Sequence, residues 1–163
     1  MINQEARYLL NHIFEGVSGW LELTLISPSG IDLAPHIRSQ SFAIGQQRPD
    51  WKRIAEMNDQ GYGVYYGLTP KSKPVATHQR SHEDNARWLQ VLWVDIDLKD
   101  GVYSSKDAAF DTLAHFCPVP TVIIDSGGGL YGLWRIQPVA VTPENTPRLK
   151  QYLRGLAIAL QSD

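Results

Sequence analysis

Two aspartates that alternate with apolar residues offer the clearest chemistry in this sequence. The pattern predicts a β-strand over Trp93-Val94-Asp95-Ile96-Asp97, and alternate residues of a strand share a face. Asp95 and Asp97 would therefore point to one side, about 7 Å apart at a rise of roughly 3.3 Å per residue. Hard carboxylate oxygens on a rigid strand suit Mg²⁺ or Mn²⁺. A solvated strand end, with one aspartate capping the following turn, explains the pair equally simply.

A second candidate site is a run of glycines between two predicted strands. Gly127, Gly128 and Gly129 follow Ser126, and consecutive glycines are tolerated where the backbone must approach another group closely. Their N–H groups could form an anion-binding nest for phosphates, to which the Ser126 hydroxyl adds a donor. The run lacks the lysine and the following helix of a Walker loop, so a plain glycine hairpin remains open as well.

The two candidate sites are joined by a predicted crossover helix and a short strand, which would bring both to one sheet. Two divalent cations beside a phosphate cradle are the apparatus of nucleotidyl transfer. In that chemistry one cation activates the attacking hydroxyl, and the other binds the incoming triphosphate and the leaving pyrophosphate. The combination is therefore more specific than either site alone.

The elements that must position these groups are a mixture of helices and strands. Helices are predicted over 4–17, from Asp50 to Gly61, from Ser104 or Ser105 onwards, and from Thr142-Pro143 or Thr146-Pro147 onwards. Strands are predicted at 20–26, 38–44, 62–68, 88–97, 121–124 and 130–136, with an exposed polar loop at 69–86. Consecutive strands mixed with helices favour an α+β fold over a doubly wound one.

Composition narrows the class of protein. The 163 residues are 43% hydrophobic and 20% charged with a net charge of −2, which is typical of one globular domain and excludes a disordered tail. No apolar stretch approaches the roughly 20 residues of a membrane helix, and the N-terminus lacks a signal-peptide pattern, so no membrane partner is expected. The single cysteine, Cys117, excludes an internal disulfide and suits a reducing cytoplasm.

Taken together, the motifs resemble a known family. WVDID followed by PVPTVIIDSGGGLYGLW is similar to the archaeo-eukaryotic primase superfamily, in particular to the N-terminal primase–polymerase domains of plasmid and phage replication proteins. The upstream segments GYGVYYGLTPK and GWLELTLISPSG are also similar to that family, so the resemblance extends from about residue 19 to the end. It implies an RRM-like mixed or antiparallel sheet with packed helices, here as one domain over residues 1–163.

The resemblance implies roles for individual residues. Asp95 and Asp97 match the family's metal-binding acids, and Asp163 stands where a third catalytic, metal-binding acid follows the last helix. Ser126 matches the serine that contacts the incoming nucleotide, whose triphosphate the adjacent glycine backbone would orient. Tyr131 occupies the position of the family's histidine and carries no positive charge.

Further contacts and partners follow from the same resemblance. Lys71 and Arg80 of the polar loop are candidate contacts for template or triphosphate, although a solvated surface position explains them equally well. The implied partners are a single-stranded DNA template, nucleoside triphosphates and a helicase domain or protein. Family members continue past the last helix with an arginine-containing segment, so the resemblance predicts a chain truncated on its C-terminal side.

The predicted function is DNA-dependent nucleotidyl transfer in primer synthesis or DNA polymerisation, with Mg²⁺ or Mn²⁺. One alternative is a non-catalytic replication-initiator module that binds single-stranded DNA or nucleotide, which Tyr131 favours. Another is a different enzyme with a paired-aspartate metal site, such as a sugar-nucleotide transferase. A nickase with a tyrosine nucleophile would need paired metal-binding histidines on a strand, and the sequence has none.

Overall fold

The structure is a computed structural model that describes residues 4–28, 36–98 and 102–162. In chain order its elements are α1 (Gln4–Ile13), β1 (Trp20–Ile26), β2 (Ile37–Ala43), α2 (Trp51–Asp59), β3 (Gly63–Tyr66), a 3-10 turn (Glu83–Asn85), β4 (Trp88–Asp97), α3 (Lys106–His115), β5 (Val122–Asp125), β6 (Gly129–Ala140) and α4 (Thr146–Ala159). The predicted α+β class is confirmed, and the strands form two three-stranded sheets. No helix in the described ranges has the length and apolar character needed to cross a membrane.

Helices α2 and α3 begin where side chains accept hydrogen bonds from their first amides. The Arg53 amide donates to Asp50 Oδ1 at 3.1 Å, and the Ala108 amide donates to Ser105 Oγ at 3.1 Å. Each bond satisfies one of the N–H groups that a helix start leaves without an intrahelical acceptor. The predicted starts of α2 and α3 are therefore confirmed. The last helix begins at the second of its two predicted sites, at Thr146 with a proline in its first turn.

The chain divides into two compact units, and the first comprises Met1–Leu89 with Pro138–Ala140. Its sheet has the order β2-β1-β3, with β1 antiparallel to both neighbours. The apolar residues of β1 pack on α2 and on the chain that follows it. This cluster consists of Leu23, Leu25, Ile54, Met57 and Tyr62, with Phe42, Trp51 and Tyr66 partly buried against it.

The other face of the first sheet is polar. Glu22, Thr24 and Ser39 lie there with 6%, 5% and 2% of their surfaces exposed. Segment 72–82, part of the predicted polar loop, is attached to this sheet by hydrogen bonds. Ser81 donates to the Glu22 carboxylate through both its amide and its hydroxyl. Buried polar groups need such partners, because an unsatisfied one costs about 1–3 kcal/mol.

The second unit comprises Gln90–Gln137 with Val141–Asp163. Its sheet has the order β4-β6-β5, in which β5 and β6 form an antiparallel hairpin. Helix α3 and the end of α4 cover one face of this sheet. The buried residues of this core are Val94, Ile96, Ala109, Leu113, Leu130, Trp134 and Leu160.

Truncating the central core residue of α3 is expected to destabilise the protein. Leu113 is 0% exposed, so Leu113→Ala should lower the free energy of unfolding by about 2–5 kcal/mol. Phe110 lies on the same helix and is 49% exposed, and Phe110→Ala is the matched control with a much smaller loss. Urea denaturation followed by circular dichroism measures both variants. Equal losses would contradict the packing described here.

Candidate functional site

The two aspartates of β4 share one face of the second sheet. Val94 and Ile96 are 0% and 1% exposed and belong to the core under α3. Asp95 and Asp97 alternate with them and are half-buried on the opposite face. The sequence-based placement of the two carboxylates side by side on a strand agrees with the structure.

Tyr131 projects from the same face of the sheet as the two carboxylates. On β6, Leu130 and Trp134 pack in the same core as the apolar residues of β4. Tyr131 is an odd number of residues away from both, so it lies on the face that carries Asp95 and Asp97. Its side chain is half-buried. The structure therefore brings the phenol and the carboxylates to one surface of one sheet.

The glycine turn lies at the end of the sheet where β4 finishes. The Leu98 amide donates to the Gly128 carbonyl at 3.4 Å, next to the last residue of β4. A Cβ at Gly129 would lie 2.0 Å from the Ile96 carbonyl oxygen, so only glycine permits this approach of the two strands. The turn and the end of the aspartate strand are consequently neighbours, as the sequence predicted for the two candidate sites.

The amides of the glycine turn are already hydrogen-bonded in part. The Ser126 amide donates to the Gly129 carbonyl at 3.1 Å, and the Gly129 amide donates to Ser126 Oγ at 3.1 Å. The Gly127 amide donates to Asp125 Oδ1 at 2.8 Å. Within the described residues the Gly128 amide donates no hydrogen bond. The turn is thus a closed hairpin in this conformation, and a phosphate would have to replace at least one of these acceptors to use more than one amide.

Lys106 contributes a cation to this end of the sheet that the sequence analysis did not identify. Its Nζ donates to Asp125 Oδ1 at 2.8 Å and to the Gly127 carbonyl at 3.1 Å. The hydrogen bond from Lys106, followed by that from the Gly127 amide, lowers the pKa of the Asp125 carboxyl below its ordinary value. The two partners are 19 residues apart, so no local spacing could have revealed the pair.

The donor chemistry of β4 fits a hard divalent cation. Asp95 and Asp97 supply carboxylate oxygens from a half-buried position, and Mg²⁺ commonly binds to one or two carboxylates together with water and substrate phosphates. In the described part of the chain no group of three or more histidine, cysteine or acidic residues could hold a metal ion. Asp163, the predicted third ligand, lies outside the described residues. The pair alone therefore offers only part of a cation's coordination shell, and other groups would have to supply the remaining ligands.

The two predicted loop contacts belong to the first unit. Lys71 is buried, with 9% of its surface exposed, although the sequence placed it in an exposed loop. Its backbone forms antiparallel bridges with Trp20 and Ala86, which hold the residue against the sheet. Burial lowers the pKa of the Lys71 ammonium, and the charge of Glu22 opposes part of that shift. Arg80 is exposed, as predicted.

The candidate site in the second unit thus combines a carboxylate pair, a phenol, a glycine turn and a lysine at one end of a sheet. No family model matches the sequence, and no curated protein or solved structure matches it. The interpretation of the site therefore depends on these residues alone.

Proposed function

We propose that this protein catalyses template-directed nucleotidyl transfer, as in primer synthesis or DNA polymerisation. The observation that supports the proposal is the meeting of the two candidate sites in one sheet. Asp95 and Asp97 lie at the end of β4, and the Ser126–Gly129 turn adjoins that end. Nucleotidyl transfer needs cation-binding carboxylates next to groups that hold phosphates.

The residues of the second unit would have separate roles in binding the cation and the triphosphate. Asp95 and Asp97 would hold Mg²⁺ or Mn²⁺, which when bound would supply Lewis-acid stabilisation of the phosphates. The Gly128 amide and the Ser126 hydroxyl would orient the triphosphate from the turn. Tyr131 would donate a hydrogen bond from the face that carries the carboxylates.

Lys106 would supply the positive charge that Tyr131 lacks. In the structure its ammonium is paired with Asp125, and the two side chains are 35% and 60% exposed. Ion pairs exposed to this degree contribute little to stability, so exchanging Asp125 for a triphosphate oxygen would cost little. Phosphate binding would then also free the Gly127 carbonyl from the lysine.

The proposed partners are a single-stranded DNA template, nucleoside triphosphates and a helicase domain or protein. Cytoplasmic location is part of the same proposal, and the free Cys117 is compatible with it. The sequence predicts one domain over residues 1–163, and this stays a prediction. The structure divides the chain into two compact units.

The test is template-dependent incorporation of labelled nucleotide by the full chain in Mg²⁺ or Mn²⁺. The double variant Asp95→Ala/Asp97→Ala should reduce incorporation to background, because no other acidic pair lies on that face of β4. Unchanged incorporation by a folded double variant would refute the proposal. Dependence on the template distinguishes this activity from a sugar-nucleotide transferase, which needs none.

A second candidate function is a non-catalytic module that binds single-stranded DNA or nucleotide. The closed state of the glycine turn favours it, since the Gly127 and Gly129 amides already have acceptors within the turn. Such a module would bind its ligand equally well with a divalent cation and with a chelator. It would show no incorporation in the assay above.

A further inference from the structure

A separate groove lies entirely within the first unit. It has a volume of about 960 Å³ and is lined by α1, by the chain that leaves α1, by Leu21 of β1, and by residues from the end of β2 to the start of α2. None of the residues that the sequence analysis singled out for chemistry lines it. The groove is therefore a candidate binding site independent of the carboxylates of β4.

Cations outnumber acids along this groove. Arg7, Arg48 and Lys52 line it, against Glu15 and Asp50, and all five are exposed. The Asp50 Oδ1 accepts the Arg53 amide as the cap of α2, and the Lys52 ammonium lies 3.9 Å from Glu56 Oε1, one turn further along that helix. The lining carries one more cation than acids, and cations spaced along a groove suit a ligand with repeated negative charges, such as a phosphate backbone.

Aromatic rings lie among these cations. Tyr8 is 73% exposed, and its ring stacks on His12 with centroids 6.0 Å apart and an angle of 4° between the planes. Trp51 is half-buried, and the Arg7 guanidinium lies 5.8 Å from its ring centroid. Aromatic rings beside guanidinium groups are surfaces on which unpaired bases can stack, and Tyr8 is the more exposed of the two rings.

We propose that this groove binds a single-stranded nucleic acid, with Tyr8 and Trp51 as stacking surfaces and Arg7, Arg48 and Lys52 as phosphate contacts. An acidic peptide would use the cations and leave the rings without a role. A double helix would present phosphates and no unpaired bases to the rings. The combination of repeated charge and stacking favours the single strand, and the inference stands whether or not the protein transfers nucleotides.

Fluorescence anisotropy of the full chain with a labelled oligothymidylate of about 12 nucleotides tests this inference, since related single-strand sites span about 4–16 nucleotides. Arg7→Ala/Arg48→Ala/Lys52→Ala should weaken binding at least about tenfold. It should also make the negative slope of log affinity against log salt shallower by about 2, because each phosphate contact contributes about 0.7. The matched control is Arg53→Ala/Arg148→Ala/Arg154→Ala, which removes the same charge from exposed positions outside the groove. The control should keep the wild-type affinity and slope.

A second variant separates stacking from charge. Tyr8→Leu should weaken binding about tenfold with no change in the salt slope, whereas Tyr152→Leu, at another exposed tyrosine outside the groove, should have no effect. Wild-type binding by the triple variant, no binding by the wild type, or equal competition from a polyglutamate peptide would each overturn the inference.

The measurement is made in chelator, so it does not depend on the carboxylates of β4. Asp95→Asn/Asp97→Asn should bind the oligonucleotide as the wild type does. Failure of the groove and failure of the proposed nucleotidyl transfer are therefore seen in different variants and different assays.

Discussion

Replacing both aspartates of β4 by asparagine is expected to abolish the Mg²⁺- and Mn²⁺-dependent binding of a deoxynucleoside triphosphate. Asp95→Asn/Asp97→Asn keeps the shape of both side chains and removes the negative charges that would hold a hard cation. Without the cation, the triphosphate would lose its bridge to the sheet and retain only the contacts of the glycine turn and Lys106. Isothermal titration calorimetry with and without metal measures the effect directly.

The matched control for this experiment lies on α3. Asp107 and Asp111 are both exposed, so Asp107→Asn/Asp111→Asn changes the net charge equally without touching the carboxylates of β4. It should bind nucleotide as the wild type does. Metal-dependent binding that persists in the β4 variant would contradict the assignment of Asp95 and Asp97. Metal-independent binding by the wild type would instead favour the non-catalytic module.

A methyl group at position 129 is expected to disrupt the site and the sheet together. In Gly129→Ala the new Cβ would lie 2.0 Å from the Ile96 carbonyl oxygen and 3.3 Å from the Asp97 Cα. Both are backbone atoms of β4, so no side chain can rotate away and the strands must separate. Overpacking typically costs 1–3 kcal/mol, and at this contact we expect a loss of about 3 kcal/mol or more in the free energy of unfolding.

The neighbouring glycine provides the control. A Cβ at Gly128 would meet no atom within 4 Å, and its backbone does not adopt a positive φ. Gly128→Ala should therefore leave the urea midpoint within the error of the wild type, while Gly129→Ala lowers it and also weakens triphosphate binding. Equal midpoints for the two variants would show that β4 and β6 do not approach each other as described.

Most of the secondary structure could be predicted because its signals are local. The Asp50 and Ser105 side chains lie three residues from the amides whose hydrogen bonds they accept. The alternation of apolar and acidic residues around Asp95 is contained within one strand. β3 is shorter than the predicted strand at 62–68. It is an edge strand that pairs with β1 in the described part of the sheet, and Val64 on it is 37% exposed.

Features that depend on distant pairing could not be predicted. Lys71 looked like a solvated loop residue, and its burial follows from a bridge with Trp20, far away in the sequence. The ion pair of Lys106 with Asp125 joins a helix start to a strand end, and neither residue belongs to a motif that indicates the other. The groove beside α1 likewise gathers its rings and cations from segments that are separate in the sequence.

The polar face of the first sheet has a consequence for how segment 72–82 opens. No residue of this segment is buried, and it is attached through hydrogen bonds such as those from the Val75 amide to Ser41 Oγ, at 2.8 Å, and from Ser81 to Glu22. Detaching it exposes little apolar surface. Because denaturant sensitivity and heat-capacity change both scale with exposed surface, its opening would respond only weakly to urea and temperature. Amide hydrogens such as that of Ser39, which donates to the Thr77 carbonyl, would then exchange by local opening, without unfolding of the apolar layer beneath α2.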